Sequence, residues 1–214
     1  VNKNSKIRSL YIPESIQLID KETFVFFEKL ETVIISSKQI SIKEKAFYGS
    51  HNLKNVIIPS EESIEIATNA FEGCTSLKTI AISNNYNNKN EINGIEIKQI
   101  NIGKCGEECI YTFNSTNGLL SIYGTGELKA FDSSLTIDKM KEIKEIKITS
   151  SIGNIKEGIF DSMSSLTTIE YEGNAEPICP STLFKKTSIQ TVNVPIDYCL
   201  FCGAVPLTKG KCGT

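Results

Sequence analysis

Residues 53–77 read LKNVIIPSEESIEIATNAFEGCTSL, and this stretch decides the fold because variants of it recur along the chain. It contains L-x-x-V-x-I-P, then a short Ser- and Ile-containing segment, and then A-F-x-G-C-x-x-L. In L-x-x-V-x-I the first, fourth and sixth side chains are apolar, which is typical of a short strand with one buried face. The segment A-F-x-G-C-x-x-L places Phe, Cys and Leu at helical spacing, which indicates a short turn that covers the strand.

The same pattern recurs about every 23 residues on both sides of this stretch. The clear copies cover residues 7–30, 30–53, 53–77 and 143–166, and a degenerate copy begins at Leu166. A fixed period of this length is typical of a solenoid, because one repeat cannot bury its own apolar face and must stack on its neighbours. We therefore predict one short strand per repeat, with all strands parallel. The Phe of each copy should join one buried ladder: Phe24, Phe47, Phe71 and Phe160.

The period is lost between residues 80 and 135. Residues 83–94 are rich in Asn and predict a loop, and IEIKQINIG after them predicts another strand of the stack, which contains Asn101. The alternating runs IYTF and LLSIY, joined by NSTNG, predict a β-hairpin. The predicted segments are N-terminal repeats over 1–102 with the loop 83–94, a Cys-containing hairpin insert over 103–138, C-terminal repeats over 139–197, and a Cys-rich cap over 198–214.

Charge and composition exclude several classes of function. The 23 Lys and Arg residues are interspersed with 25 Asp and Glu residues, so the sequence has no basic stripe for nucleic acid. No apolar run reaches the roughly 18 residues of a membrane span, so we expect no membrane insertion by this segment, in which no signal or anchor is visible. His51 is the only histidine, and it lies in the variable spacer of its repeat. Without a catalytic constellation we expect no enzyme, no cofactor and no metal site.

The seven cysteines divide into one buried thiol and six candidates for disulfides. Cys74 occupies the repeat position that Phe27 and Ser50 hold in other copies, which predicts a small buried apolar residue. The disulfide candidates are Cys105, Cys109, Cys179, Cys199, Cys202 and Cys212. Proximity along the chain favours a bond between Cys105 and Cys109 and leaves the other four around the C-terminal cap.

Zinc is the alternative explanation for these cysteines. The C-x-x-C at Cys199 and Cys202, together with Cys105 and Cys109, supplies four thiolates. Several repeats separate the two pairs, so disulfides are favoured over a shared metal ion. Disulfides in turn predict an oxidising compartment.

The strand pattern also predicts a surface for a protein partner. The side chains between the buried ones should form a column across the strands: Tyr11, Ile34, Ile57, Ala81, Asn101, Lys147, Glu170 and Asn193, flanked by Ser9, Thr32, Asn55 and Thr79. The first four members are apolar, so we expect an exposed apolar strip that binds a protein. The alternative is an ordinary β-surface whose β-branched residues reflect strand propensity alone. Asn114 begins an N-x-S/T sequon in the predicted hairpin turn and is a candidate for glycosylation.

The repeated string resembles the BspA-type leucine-rich repeat, a family of bacterial and protist surface proteins with the consensus A-F-x-x-C-x-x-L. The resemblance covers residues 7–102 and 143–194, and G-x-L-x-I-x-G-x-G from Gly118 to Gly126 resembles a recurring element of the same family. It implies a leucine-rich-repeat solenoid with a short parallel β-strand plus a turn or short helix in each repeat, and an inserted β-hairpin.

For function, the resemblance implies a non-enzymatic recognition or adhesion module, extracellular or at the cell surface, with host-cell or extracellular-matrix proteins as partners. One alternative is an intracellular leucine-rich-repeat scaffold with reduced cysteines. Another is a carbohydrate-binding protein that uses the concave face. A count of the thiols in the native, unreduced protein discriminates best between the first two.

Overall fold

Each repeat begins with a short strand whose alternate side chains enter the core. In the second repeat these side chains are Leu30, Val33 and Ile35, all fully buried, as the pattern predicts. The computed structural model describes residues 6–59, 62–83, 90–149, 152–173, 175–194 and 201–202. It is a β-solenoid of about 8 turns with a repeat spacing near 23 residues. The chain folds into two compact units, residues 1–100 and residues 101–214.

The first unit consists of two sheets. Its strands are β1 (Ser9–Ile12), β2 (Leu18–Ile19), β3 (Thr32–Ile35), β4 (Ile40–Ile42), β5 (Asn55–Ile58), β6 (Ile64–Ile66), β7 (Thr79–Ile82), β8 (Glu91–Ile92) and β9 (Ile95–Gln99). The larger sheet has the order β1-β3-β5-β7-β9-β8, and the smaller one has the order β2-β4-β6. All neighbours are parallel except β8 and β9.

Each of the first three repeats therefore has two strands, and the prediction of one strand per repeat is wrong here. The second strand comes from the Ser- and Ile-containing segment. Ile40 pairs with Ile64, and Ile42 pairs with Ile66, so this segment has its own parallel ladder. Its side chains alternate like those of the first strand, with Ile42 buried and Ser41 outward.

A tight turn connects the second strand of each repeat to the next repeat. Backbone hydrogen bonds also join the turns of neighbouring repeats to one another. The backbone N–H of Phe47 donates to the carbonyl oxygen of Ala70 at 2.9 Å. Gly49 and Gly73 occupy the same position of their repeats with φ of 70° and 79°, a left-handed conformation that suits glycine. The turns thus form a third bonded column beside the two sheets.

The Phe rings of the first three repeats form the predicted ladder. The ring centroids of Phe24 and Phe47 are 5.2 Å apart, and those of Phe47 and Phe71 are also 5.2 Å apart. Phe160 does not belong to this ladder, contrary to the prediction. It lies in the second unit and stacks on Phe184 at 6.3 Å, because the repeat that follows it carries that ring.

The second unit is built around the predicted hairpin. Its elements are β10 (Asn101–Gly106), β11 (Cys109–Asn114), β12 (Leu119–Gly124), β13 (Glu127–Leu128), α1 (Ile137–Glu142), β14 (Glu145–Ile148), β15 (Asn154–Ile155), β16 (Thr168–Tyr171) and β17 (Thr191–Asn193). β11 and β12 are antiparallel, which confirms the hairpin. The main sheet has the order β10-β11-β12-β14-β16-β17, and β13 pairs with β15 in a second, two-stranded sheet.

The hairpin is part of the repeat sheet and not an element set apart from it. β12 pairs in parallel with β14, where Leu120 lies beside Ile146, while β10 and β11 are antiparallel. Outside the predicted hairpin, the expectation that all strands are parallel is wrong for β8, which is antiparallel to β9, and for β10, which is antiparallel to β11. A hairpin reverses the chain direction, so its two strands cannot both follow the direction of the stack.

The predicted strand IEIKQINIG is two strands. β9 joins β7 in the first unit, so Lys98 lies beside Ala81. Asn101 belongs to β10 and lies opposite Phe113, outside the predicted column. The alternation of Ile changes phase at Lys98 and Gln99, where two polar residues are adjacent, and the prediction of a single strand missed this sign of the break. The finer division of the chain into four segments stays a prediction.

Candidate partner-binding face

The outward side chains of the first unit form one column across neighbouring strands. Tyr11, Ile34, Ile57 and Ala81 are in register, as predicted, and Lys98 follows them. A second column runs beside the first and contains Ser9, Thr32, Asn55, Thr79 and Glu96. We call these ten residues the strand face of the first unit. Adjacent strands are about 5 Å apart, so each repeat contributes one step to the face.

The middle of this face is buried, contrary to the predicted exposed strip. Ile34 is 1% exposed, Ile57 is 2% exposed and Thr32 is 5% exposed. These residues lie on β3 and β5, but neighbouring strands alone do not bury an outward side chain, since Ala81 on β7 also has strands on both sides and is only half-buried. Strand alternation predicts the side of the sheet that a side chain occupies, but it does not predict what packs against that side.

The margins of the face are accessible. Tyr11 and Ala81 are half-buried, and Lys98 is exposed. At the margin formed by β7 and β9, Thr79 Oγ1 donates a hydrogen bond to the Glu96 carboxylate at 3.5 Å, while the bond from Asn55 Nδ2 to Thr32 Oγ1 at 3.3 Å lies in the middle of the face. The accessible margins of the face therefore present an aromatic ring on one side and small, polar and charged side chains on the other. The apolar side chains between these margins are buried.

The corresponding face of the second unit is charged. Ser121, Lys147, Glu170 and Asn193 are in register, which confirms the predicted neighbours for the last three. Lys147 Nζ lies 3.6 Å from the Glu170 carboxylate and 2.8 Å from that of Glu172. Burial lowers the pKa of Lys147, but the hydrogen bonds and charges of the two glutamates outweigh it, so the pKa rises above its ordinary value. The sequence pattern placed the column but not this ion-pair network.

The structure confirms that Cys74 is a buried free thiol. Its Sγ–H donates to the carbonyl oxygen of Phe47 at 3.1 Å. Burial raises the pKa of Cys74 to about 11, so the thiol stays protonated at neutral pH. It is therefore a packing residue and a poor nucleophile.

Four of the six disulfide candidates are bonded in pairs. Cys105 is joined to Cys109, as proximity favoured, and Cys179 is joined to Cys202. Three of the four thiols that the zinc alternative requires are thus in disulfides. Within the described ranges, no group of three or more His, Cys, Asp or Glu side chains could hold a metal ion. The other two candidates, Cys199 and Cys212, lie outside the described residues.

Asn114 is the last residue of β11 and is exposed. Its Oδ1 accepts a hydrogen bond from the backbone N–H of Thr116 at 3.0 Å, within the turn of the hairpin. The sequon is therefore on the surface, and its modification stays a prediction. His51 is also exposed, in the spacer where the repeat pattern placed it.

A polar cluster around the buried Tyr111, formed with the half-buried Asp132 and the exposed Ser134, was not predicted. The Tyr111 hydroxyl donates to Asp132 Oδ1 at 2.9 Å and lies 2.6 Å from Ser134 Oγ. Gly103 lies over the Tyr111 ring, where a Cβ would come within 2.3 Å of the hydroxyl. Burial raises the pKa of Tyr111, so the hydroxyl stays protonated. The residues are 21 to 23 positions apart, so no local pattern marks the cluster.

The repeats of this chain match a known protein family. The BspA type leucine rich repeat region matches the chain in 6 copies, over residues 2–119 and 109–203. The chain belongs to this family. The match confirms the resemblance and agrees with the solenoid of short parallel strands. No curated protein matches this BspA-type chain significantly. Among the described residues of this BspA-type protein, no helix is long and apolar enough to span a membrane.

Proposed function

We propose that this BspA-type protein is a non-enzymatic recognition or adhesion module that binds a protein partner through the strand face of its first unit. The observation that carries the proposal is the register of that face, which puts one outward residue from each repeat into a continuous column. A stacked array of this kind presents an extended surface on a rigid frame, and repeat proteins use such surfaces for binding. The proposal assigns no catalytic group.

Contact with the partner falls on the margins of the face. Tyr11 supplies an amphipathic ring, and Thr79, Ala81 and Lys98 supply small and polar contacts at the other side. Ile34 and Ile57 are buried, so they take no part in this contact. An aromatic residue beside polar groups is typical of interfaces between proteins.

Two features support an extracellular or cell-surface location. The disulfides Cys105–Cys109 and Cys179–Cys202 are of a kind that persists in oxidising compartments. The sequon at Asn114 is accessible on a hairpin turn. Host-cell or extracellular-matrix proteins are the partner class that we propose from the family. An intracellular scaffold and a carbohydrate-binding protein remain as the alternatives.

The test compares face variants with a surface control. Tyr11→Ser and Lys98→Glu alter the two margins of the face, and His51→Glu alters an exposed spacer position of the second repeat. Binding of the full chain to immobilised extracellular-matrix proteins is measured with the melting temperature of each variant. We expect the two face variants to lose about tenfold or more in affinity with little change in melting temperature, and the control to bind normally.

Other outcomes separate the alternatives. Binding that is equal in all three variants excludes the strand face. Binding to immobilised glycans but not to proteins supports the carbohydrate alternative and overturns the proposal.

A further inference from the structure

The sequence contains two Asn-Gly pairs, and the fold places them in different surroundings. Asn93-Gly94 joins β8 to β9, and Asn117-Gly118 lies in the turn between β11 and β12. Asn-Gly suits tight turns, because both residues tolerate a positive φ. It is also the pair in which the asparagine side chain is most open to attack by the next backbone nitrogen, because glycine has no Cβ that shields this nitrogen. The reactivity of each pair therefore depends on what surrounds it.

The pair Asn93-Gly94 is open to solvent. Ile92 lies opposite Ile95 in the ladder, so Asn93 and Gly94 are the two central residues of a tight turn. Their φ angles are 50° and 77°, which fit a type I′ turn. Both residues are exposed, and a Cβ on Gly94 would meet no atom of the described residues within 4 Å beyond its chain neighbours. Nothing described packs over this side of the Gly94 backbone.

The pair Asn117-Gly118 is enclosed. Gly118 is buried, and its backbone N–H donates to the carbonyl oxygen of Asn114 at 2.9 Å. Asn117 Oδ1 accepts a hydrogen bond from the backbone N–H of Leu119 at 3.1 Å. A Cβ on Gly118 would come within 2.7 Å of the Glu142 carbonyl oxygen. The backbone nitrogen and the side chain that would have to react are thus both held in hydrogen bonds.

We propose that Asn93 is a site of spontaneous deamidation and that the fold protects Asn117. The Gly94 backbone nitrogen attacks Cγ of Asn93 and forms a new N–C bond. The Cγ–Nδ2 bond breaks, and the side-chain nitrogen leaves as ammonia with the proton that the backbone nitrogen gives up. Water then opens the resulting succinimide ring at either carbonyl and produces aspartate or isoaspartate. Water is the only co-reactant, and no group is oxidised or reduced.

The products change the hairpin of β8 and β9. Ile92 and Ile95 flank the turn and are only 3% and 7% exposed, so the hairpin is anchored in the core next to the reacting pair. Isoaspartate adds one carbon to the backbone of a turn that has two central residues, which disturbs the geometry that pairs the strands. Either product adds a negative charge near Glu91 and Glu96, which already lie opposite each other. We expect the pairing of β8 with β9 to weaken after modification.

This modification lies beyond the partner-binding function proposed above and does not depend on it. The full chain is incubated at mildly alkaline pH below its melting temperature, and peptide mass spectrometry measures the conversion of each asparagine. We expect Asn93 to convert about tenfold or more faster than Asn117 in the folded protein, because Asn117 reacts only after local opening. In urea, where both pairs are unfolded, the two rates should be similar.

Gly94→Ala tests the route of the reaction. The added Cβ hinders attack by the backbone nitrogen, so we expect the conversion of Asn93 to slow by about tenfold. Gly126→Ala is the matched control, because Gly126 is also exposed, has a φ of 81° and has no described atom within 4 Å of an added Cβ beyond its chain neighbours. It introduces the same backbone strain and should leave the rate at Asn93 unchanged.

Three outcomes overturn the proposal. If Asn93 stays intact in the folded protein, it is not a deamidation site. Equal rates at Asn93 and Asn117 in the folded protein show that the fold does not protect Asn117. A parental rate in Gly94→Ala shows that the side-chain amide is lost without attack by the Gly94 nitrogen. Hydrogen exchange at Ile92 and Ile95 should become faster in the modified protein, and unchanged exchange contradicts the expected weakening of the hairpin.

Discussion

At the scale of single residues, Phe71 and Phe24 form a matched pair that tests the ring ladder. Phe71 is 3% exposed, whereas Phe24 is partly buried in the first repeat. Truncation of a buried Phe to Ala removes apolar contacts and leaves a cavity, which typically costs about 3–5 kcal/mol. We expect Phe71→Ala to lower the free energy of unfolding by about that amount and Phe24→Ala to lower it clearly less. Urea denaturation followed by circular dichroism measures both values, and equal losses would contradict the difference in burial between the two rings.

At the scale of elements, Asp132 links the hairpin to the segment that follows it. Its carboxylate accepts hydrogen bonds from Tyr111, from the Ser134 hydroxyl and from the backbone N–H of Lys104. Burial alone would raise the pKa of Asp132, but these hydrogen bonds outweigh it and lower the pKa below 3.8. The bonds to the charged form therefore stabilise the folded state.

The lowered pKa of Asp132 predicts a specific dependence of stability on pH. Its contribution is fully present above the unfolded value of 3.8 and is lost as the pH falls through the lower pKa of the folded state. We expect Asp132→Asn to destabilise the protein near neutral pH, and the difference from the parent to shrink below about pH 4. Urea titrations across this range measure the effect. Asp138→Asn is the control, because the Asp138 side chain is 91% exposed, and a similar pH profile for it would refute the role of Asp132.

At the scale of the whole molecule, the burial and the disulfide bonds of the cysteines predict which of them react with an alkylating reagent. In the native protein without reductant we expect no rapid alkylation of Cys74, because it is buried and its pKa is about 11. After unfolding without reductant, Cys74 should be alkylated while Cys105, Cys109, Cys179 and Cys202 stay unlabelled. Mass spectrometry of the peptides identifies which cysteines have been alkylated. If all four bonded cysteines are labelled in the freshly purified, unreduced protein, the proposed extracellular location loses its main physical support.

Repetition explains why so much of the fold could be predicted. The burial of Leu30, Val33 and Ile35 follows from a spacing that each copy repeats, and the register of Tyr11 beside Ile34 follows from the same spacing. The candidate face was predicted for this reason, together with the bond between Cys105 and Cys109, which are only 4 positions apart. These features depend on residues in one repeat or in two adjacent ones, so a short stretch of sequence contains the information.

The sequence by itself determined the repeat, the side of the sheet on which alternate side chains of a repeat strand lie, and the burial of Cys74 as a free thiol. Alternation and period are local properties of a chain. Tertiary structure alone decided that Ile34 and Ile57 are buried, that Lys98 and not Asn101 extends the column, and that Tyr111 meets Asp132 beneath the hairpin. Each of these depends on which distant segment packs against a given side chain. That choice is made by the path of the whole chain, so residues far apart in sequence become neighbours only in the folded protein.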